Sequence, residues 1–353
     1  MYKAASKLIN VIRWFSNGFT SIKYLRTIPL QVHIRILSRN PIYHIKLLNT
    51  FHRRIDFSPM PFYLSIETTR MCNLRCIMCE HTYIFANDNS YIDIQTFYNI
   101  LNNIPRVAGI NLTGLGEPLL NPDFIDIVKA AKSRKLYVEF FTNGVLLDES
   151  VGKCLIDLGV DRVVFSLDAA TEATYRKIRG ADYFIKVLSN LINLINLRNN
   201  SDSNTFIAVN FVLSTVNNRE LYKFVELMQA IGVDEVIINP VIPPKIFLKS
   251  LTQDKPTINL KLPVNISPYM RRIGKLCPLP WTAPFISCEG YVFPCCFISE
   301  FGKYKQLLAT GGLGNILESS FKEIWCGVRY RMVRHEMLKL GTSYMCRGCT
   351  MTS

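Results

Sequence analysis

The sequence predicts an α/β fold in which a parallel sheet is flanked by a basic helical arm and a small metal-organised domain. Three observations carry this prediction. Strand-like and helix-like segments alternate between residues 58 and 243. The alternation stops near Pro243. The 11 cysteines fall in tight clusters instead of being spread along the chain. With 353 residues, about two domains are expected. The chain is 49% hydrophobic and 19% charged, enough apolar matter for a large core, which excludes general disorder.

Residues 1–57 read as a helical arm. Leu8, Ile9, Ile12, Phe15, Phe19 and Ile22 recur at helical spacing with Lys3, Lys7, Arg13 and Lys23 between them, and Pro29 and Pro41 divide the segment. From Phe62 the rhythm changes. Strands are expected at Phe62–Thr69, Ile110–Thr113, Tyr137–Thr142, Arg162–Leu167, Ile207–Leu213 and Glu235–Asn239. Helices are expected between them at Ile94–Ile104, Phe124–Arg134, Glu149–Leu158, Tyr183–Leu197 and Arg219–Ile231. This alternation favours parallel strands with crossover helices. Six strands suit either an open doubly wound sheet or an incomplete (β/α) barrel, and periodicity does not choose between them. Residues 244–270 read as a linker. Residues 271–353 hold seven cysteines with little regular pattern and read as a small domain organised by metal.

Charge and cysteine usage narrow the class. The net charge of +14 comes from 41 Lys and Arg against 27 Asp and Glu. Residues 1–55 contain ten Lys and Arg and no acid, so most of the excess belongs to the arm. The odd, clustered cysteines are unlike a secreted disulfide scaffold. No secretory signal opens the chain, and no run of 18 apolar residues could span a bilayer. Clustered thiols in a reducing compartment point to metal, and the expected location is the cytoplasm.

Cys72, Cys76 and Cys79 form C-x3-C-x2-C directly after the first strand. Three thiolates on a short loop can hold three irons of a cubane cluster and leave the fourth iron open. A zinc site closed by His81 is the structural alternative, although its usual spacing is built from C-x2-C pairs. Downstream, Thr113–Pro118 reads TGLGEP at the end of the second strand, where Gly116 allows close backbone approach and Glu117 can accept a cationic hydrogen bond. Ser166 and Asp168 share one face at the end of the fourth strand. Ile178-Arg179-Gly180 follows, and Asn143 and Asn210 are further polar candidates. These groups fall at C-terminal strand ends, where parallel α/β folds bind ligands.

Over residues 60–240 the triad and the order of these motifs resemble the radical S-adenosylmethionine (SAM) superfamily. The resemblance implies a partial (β/α)6 TIM-like barrel and a [4Fe–4S] cluster held by Cys72, Cys76 and Cys79. It also implies SAM chelated through its amino and carboxylate groups by the open iron, and reductive cleavage to a 5′-deoxyadenosyl radical. Glu117 would accept the SAM ammonium, Ser166 and Asp168 would touch its ribose or carboxylate, and Arg179 would pair its carboxylate. Met78 stands where the family often has an aromatic residue beside the adenine, and a polarizable thioether can pack there. Flavodoxin or ferredoxin would supply the electron.

The second cluster is C-x12-G-x4-C from Cys277 through Gly290 to Cys295, followed by Cys346 and Cys349 as C-x2-C. Four thiolates close a tetrahedral set, which suits [4Fe–4S] or zinc. The segment CPLPWTAPFISCEGYVFPCC, with LGNI and EIW after it, resembles the SPASM/twitch auxiliary-cluster domains. Only four residues follow Cys349, so the one-cluster twitch arrangement is expected, as in the dehydrogenases that act on 2-deoxy-scyllo-inosamine. Cys296 could replace Cys295. Cys154, Cys288 and Cys326 have no partner at ligand spacing and read as small buried hydrophobes.

This resemblance implies hydrogen-atom abstraction from a substrate, with the auxiliary cluster taking an electron to complete the oxidation of a sugar- or cyclitol-like compound. Peptide or lipid modification is the alternative reaction, and a non-catalytic zinc or iron–sulfur protein is the alternative class. For the arm, a solvated helical cap, an interfacial membrane anchor through Trp14, Phe15 and Phe19, and a grip on an acidic partner all remain open. No recognised nucleic-acid motif is present.

Overall fold

The computed structural model describes residues 29–39, 58–104, 107–241, 264–266, 277–300, 302–347 and Cys349. The six expected strands are β1 (Tyr63–Ile66), β2 (Gly109–Asn111), β3 (Tyr137–Thr142), β4 (Arg162–Ser166), β5 (Phe206–Leu213) and β6 (Glu235–Pro240). Each pairs in parallel with the next. This sequential order is that of a barrel wall, because a doubly wound sheet reverses direction part-way across. The sheet is not closed, so the wall is a partial barrel.

The helices are α1 (Leu30–Arg39), α2 (Ile94–Asn103), α3 (Phe124–Ser133), α4 (Glu149–Asp157), α5 (Glu172–Arg179), α6 (Phe184–Asn199) and α7 (Leu221–Ile231). Their apolar faces, including Phe97, Ile127, Leu155, Leu191 and Phe224, join the strands in one core. The strands themselves are nearly continuous in burial, as parallel strands covered by helices must be. Side chains cap three helix starts: Asp93 accepts from Thr96 N, Asp148 from Val151 N and Thr171 from Thr174 N.

Three features depart from the sequence expectation. The helix α5 was not expected, although Thr171 begins it and the left-handed Gly180 ends it. Within the expected linker, β7 (Val264–Ile266) pairs in parallel with β6. The rest of that linker lies outside the described residues.

The C-terminal region is more regular than expected and shares the barrel's sheet. There β8 (Phe285–Ile286) pairs in parallel with β1, and β9 (Val292–Phe293) pairs antiparallel with β8. The nine strands therefore run β7-β6-β5-β4-β3-β2-β1-β8-β9. Two-residue strands are too short for a period-two signal. The helices α8 (Leu279–Thr282), α9 (Tyr304–Ala309), α10 (Phe321–Cys326) and α11 (Val328–Leu340) follow. Ser320 and Glu323 form a full capping box before α10.

The described part of the arm is a packed cap. Val32, His33 and Ile36 of α1 are buried, and Val32 and Ile36 join Phe62, Tyr63, Ala108 and Tyr137 in one apolar cluster. The remainder of the arm, with its anchor candidates, lies outside the described residues. Among the described residues, no helix is long and apolar enough to cross a membrane.

Candidate active site

The cysteine triad lies on the loop that leaves the C-terminal end of β1. That loop is braced from below by a buried cation. Arg70 packs over the rings of Phe85 and Tyr304. It pairs with Glu67, Asp88 and Glu289, and it donates to Cys288 Sγ at 3.0 and 3.3 Å. Tyr304 donates to Glu67 at 2.7 Å. Cys288 is therefore a partner in the brace that joins the triad loop to the C-terminal domain, which corrects its reading as a lone buried hydrophobe.

The zinc alternative finds no support in this geometry. His81 Nε2 donates to the Arg70 carbonyl at 2.6 Å, and burial lowers the pKa of its ring. Zinc–thiolate bonds of about 2.3 Å would draw the sulfurs to roughly 4 Å of one another. Among the described residues, the group whose ligand atoms all lie within 4.8 Å of one another is Glu67, Cys288 and Glu289, with Arg70 already among them.

The TGLGEP turn presses directly on the triad loop. A methyl group at Gly116 would come within 2.5 Å of the Met71 carbonyl oxygen, and one at Gly114 within 2.6 Å of Glu67 Cβ. Gly116 thus serves close approach to the triad loop's backbone. Glu117 N donates to Met71 O at 2.7 Å. The Glu117 carboxylate accepts from Thr142 Oγ1, Asn143 N and Leu119 N. Those bonds use three of its four lone-pair positions and leave one. Burial raises its pKa to about 7 against the pull of these donors. Asn143 Nδ2 donates to Asn73 Oδ1 at 2.7 Å and so latches the turn to the triad loop.

The IRG segment closes the other side. Arg75 N and Ile77 N donate to the carbonyls of Arg179 and Ile178. Gly180, at φ +73°, has the Arg75 carbonyl 2.8 Å from where a Cβ would sit. This pairing sets Arg179 Nη1 3.6 Å from Cys76 Sγ. Asp168 Oδ2 holds Arg179 Nη2 at 2.6 Å, while Asp168 Oδ1 accepts from Val212 N at 2.7 Å. Asp168 is fully buried and has φ +62°. It acts through Arg179 instead of facing a ligand, which corrects the expectation of direct contact. Arg179 Nε is buried without a hydrogen-bond partner among the described residues. A donor left unmatched beside Cys76 fits an anionic ligand there.

Burial pushes the Cys72 thiol up to about 11, with Arg179 pulling the other way. Ser166 is half-buried at the end of β4, and Asn210 on β5 accepts from Asn239 Nδ2 at 2.6 Å. Met78 lines an apolar cleft with Ile77, Ile178, Val212 and Val241. A flat heterocycle can lie against such a wall.

The second site also converges. Cys277, Cys295, Cys346 and Cys349 are buried in one cluster with Trp281 and Met337. Burial raises the Cys277 and Cys295 thiols, and the other cysteines of the set, with Cys296, push further in the same direction. Cys349 N donates to Cys346 O at 3.0 Å, forming the C-x2-C turn.

Sequence reasoning missed the supporting residues. Arg75 donates to the carbonyls of Cys72, Leu74 and Ala86 and holds the triad loop from within. Asn73, Thr142, Arg70 and Glu67 act through partners distant in sequence, and only the polar Asn and Arg inside CNLRC hinted at such a role.

The radical SAM superfamily matches residues 66–246, and the SPASM iron-sulfur cluster-binding domain matches residues 277–350. A tungsten-containing aldehyde ferredoxin oxidoreductase cofactor-modifying protein of Pyrococcus furiosus is 26% identical over 82% of this chain and 86% of its own length. A probable GTP 3′,8-cyclase of Saccharolobus islandicus is 33% identical over 49% of this chain and 54% of its own length. The chain thus spans about half of that relative. In structure, SuiB of Streptococcus suis bound to S-adenosylmethionine superposes with TM-score 0.62, at 14% identity, over 89% of this chain and 79% of that one. AnSMEcpe with bound AdoMet gives TM-score 0.58, at 18% identity, over 82% and 86%. Both likenesses show the fold.

Proposed function

The chain belongs to the radical SAM superfamily, and from that premise we propose that it oxidises a sugar- or cyclitol-like substrate at a carbon bearing a hydroxyl group. It is a radical SAM enzyme with a SPASM domain. Those domains imply a SAM-binding [4Fe–4S] cluster and an auxiliary iron–sulfur cluster. In this reading Cys72, Cys76 and Cys79 hold the first cluster, and Cys277, Cys295, Cys346 and Cys349 hold the second. When bound, the first cluster with SAM supplies a 5′-deoxyadenosyl radical that takes a substrate hydrogen atom, and the auxiliary cluster supplies an acceptor for the electron left behind.

The chain's own groups prepare the site. Arg179, fixed by Asp168, offers its free Nε to the SAM carboxylate. Glu117 offers its remaining lone pair to the SAM ammonium. The wall of Met78, Ile178 and Val212 keeps water from the adenine. Asn143 and Asn73 hold the turn and the triad loop in register. The observations that support the reading are the convergence of Cys76, Arg179 and Asp168 at the C-terminal end of the barrel wall and, elsewhere in the fold, a second, buried four-cysteine set.

The test uses a carbon-deuterated aminocyclitol with the reconstituted full chain, SAM and a reduced flavodoxin or ferredoxin. Deuterium should appear in 5′-deoxyadenosine together with a ketone product. SuiB has been solved bound to its precursor peptide SuiA, so the alternative is a peptide substrate. Label transferred from a deuterated peptide and not from the cyclitol would establish that alternative.

A further inference from the structure

The two sides of α11 differ in chemistry. The inner side buries Val333 and Met337, and Met337 belongs to one apolar cluster with Cys277, Cys295, Cys346 and Cys349. With about 3.6 residues per turn, Val328 and Met332 fall on the side away from Met337. That side is open: Val328 is 79%, Met332 47% and Leu340 69% exposed. Arg331 and Lys339 are exposed on the same side. The helix has a single acid, Glu336, and its carboxylate accepts from Tyr344 N at 2.8 Å. That bond ties the segment carrying Cys346 and the exposed Arg347 to the helix. The outer face thus joins cations to exposed methionine and aliphatic side chains, and the helix's one carboxylate is already engaged. Arg and Met are enriched where proteins meet, and complementary charge steers the encounter. A helix is about 10–12 Å across, so a partner seated on this face stands one helix width from the four-cysteine set. An anionic membrane is the poorer fit, because α11 carries no Trp or Phe and its one tyrosine, Tyr330, is buried.

We propose that the outer face of α11 is the docking surface for an acidic one-electron carrier protein of the flavodoxin or ferredoxin class, which collects the electron left at the auxiliary site. The proposal rests on the reading that Cys277, Cys295, Cys346 and Cys349 hold an iron–sulfur cluster. An acceptor that gains one electron per turnover must be emptied before the next. The oxidised carrier takes up that electron and leaves reduced by one, with no bond made or broken and no proton moved. A small, charged, short-lived contact suits such an encounter, since electron-transfer interfaces lie at the low end of interface size. Arg331 and Lys339 touch no reacting atom of the substrate; they recruit the carrier.

The test measures binding of oxidised flavodoxin to the reconstituted full chain by isothermal titration calorimetry. Arg331→Glu combined with Lys339→Glu should weaken binding about tenfold or more. Wild-type binding should itself weaken as ionic strength rises past about 0.15 M. Lys129→Glu combined with Lys153→Glu makes the same charge change at exposed sites on α3 and α4, and should leave the affinity within about twofold. Urea unfolding and iron content should match wild type in both doubles, and Lys339→Glu alone should act in the same direction as the α11 double. Unchanged affinity in the α11 double, or equal weakening in both doubles, would overturn the proposal. So would an α11 double that keeps flavodoxin binding but no longer sediments with phosphatidylserine vesicles, which would assign the face to a membrane. Iron analysis of Cys346→Ala checks the premise separately. An unchanged iron count there fails the four-cysteine reading, whereas a lowered count with unchanged affinity in the α11 double fails the docking surface alone.

Discussion

Replacing Asp168 with alanine should strongly destabilise the barrel at the C-terminal ends of its strands. Asp168 is fully buried, and its two oxygens hold Arg179 Nη2 at 2.6 Å and Val212 N at 2.7 Å. Removing one partner of a buried ion pair leaves the other charge uncompensated, at a cost of about 3–5 kcal/mol. Alanine at φ +62° adds about 1 kcal/mol, because its Cβ crowds the backbone in the left-handed region. The expected loss for Asp168→Ala is therefore on the order of 5 kcal/mol. Asp168→Asn tolerates the backbone and retains an acceptor for Val212, so it should lose less by about 1 kcal/mol. Urea unfolding of the full chain, followed by far-UV circular dichroism, measures both variants. A double-mutant cycle with Arg179→Ala should show coupling of about 1–3 kcal/mol. A cost below about 1 kcal/mol for Asp168→Ala, or additivity in the cycle, would refute the claim that this pair is what holds Arg179 at the triad.

Gly116→Ala should cost about 1–3 kcal/mol and lower the iron bound at the first site, because its methyl group meets the rigid carbonyls of Thr69 and Met71. Iron analysis after anaerobic reconstitution checks this. Burial raises the pKa of Glu117 to about 7, so the folded chain holds this proton more tightly than the unfolded one does. The stability it contributes is present below pH 4.5 and lost as pH rises toward 7 and beyond. Denaturant midpoints across that range should fall with pH more steeply for wild type than for Glu117→Gln. Cys346→Ala should lower the iron content from about eight to about four per chain while 5′-deoxyadenosine is still formed. Simultaneous loss of both would contradict the division of the cysteines into two sites.

The parts of the fold that repeat were legible in the sequence. Six parallel strands announced themselves because each is largely apolar and the first five are each followed by an amphipathic helix. The order of pairing was not, since strand neighbours are set by three-dimensional packing and both barrel and doubly wound sheets share one pattern. The strand at Val264–Ile266 and the pair at Phe285–Ile286 and Val292–Phe293 were hidden by their length. At the site, the seven cysteines proposed as ligands could be named because they sit at fixed spacings, and Arg179 because its Ile-Arg-Gly segment resembles a radical SAM motif. Their roles were less visible. Asp168 was expected to face the ligand and instead lies beneath Arg179. Gly116 packs against backbone. Cys288 stood alone in sequence because its partner, Arg70, lies 218 residues away. A spacing argument sees neighbours along the chain, whereas a buried polar network is defined by neighbours across it.

We propose above all that Cys72, Cys76 and Cys79 hold a cluster that opens SAM. The most direct measurement is 5′-deoxyadenosine release from SAM by the anaerobically reconstituted full chain with a one-electron reductant, compared with Cys76→Ala. Product is expected from the wild-type chain, with about eight irons bound, and none from the variant. Tightly bound zinc with no SAM cleavage, or equal product from Cys76→Ala, would contradict it.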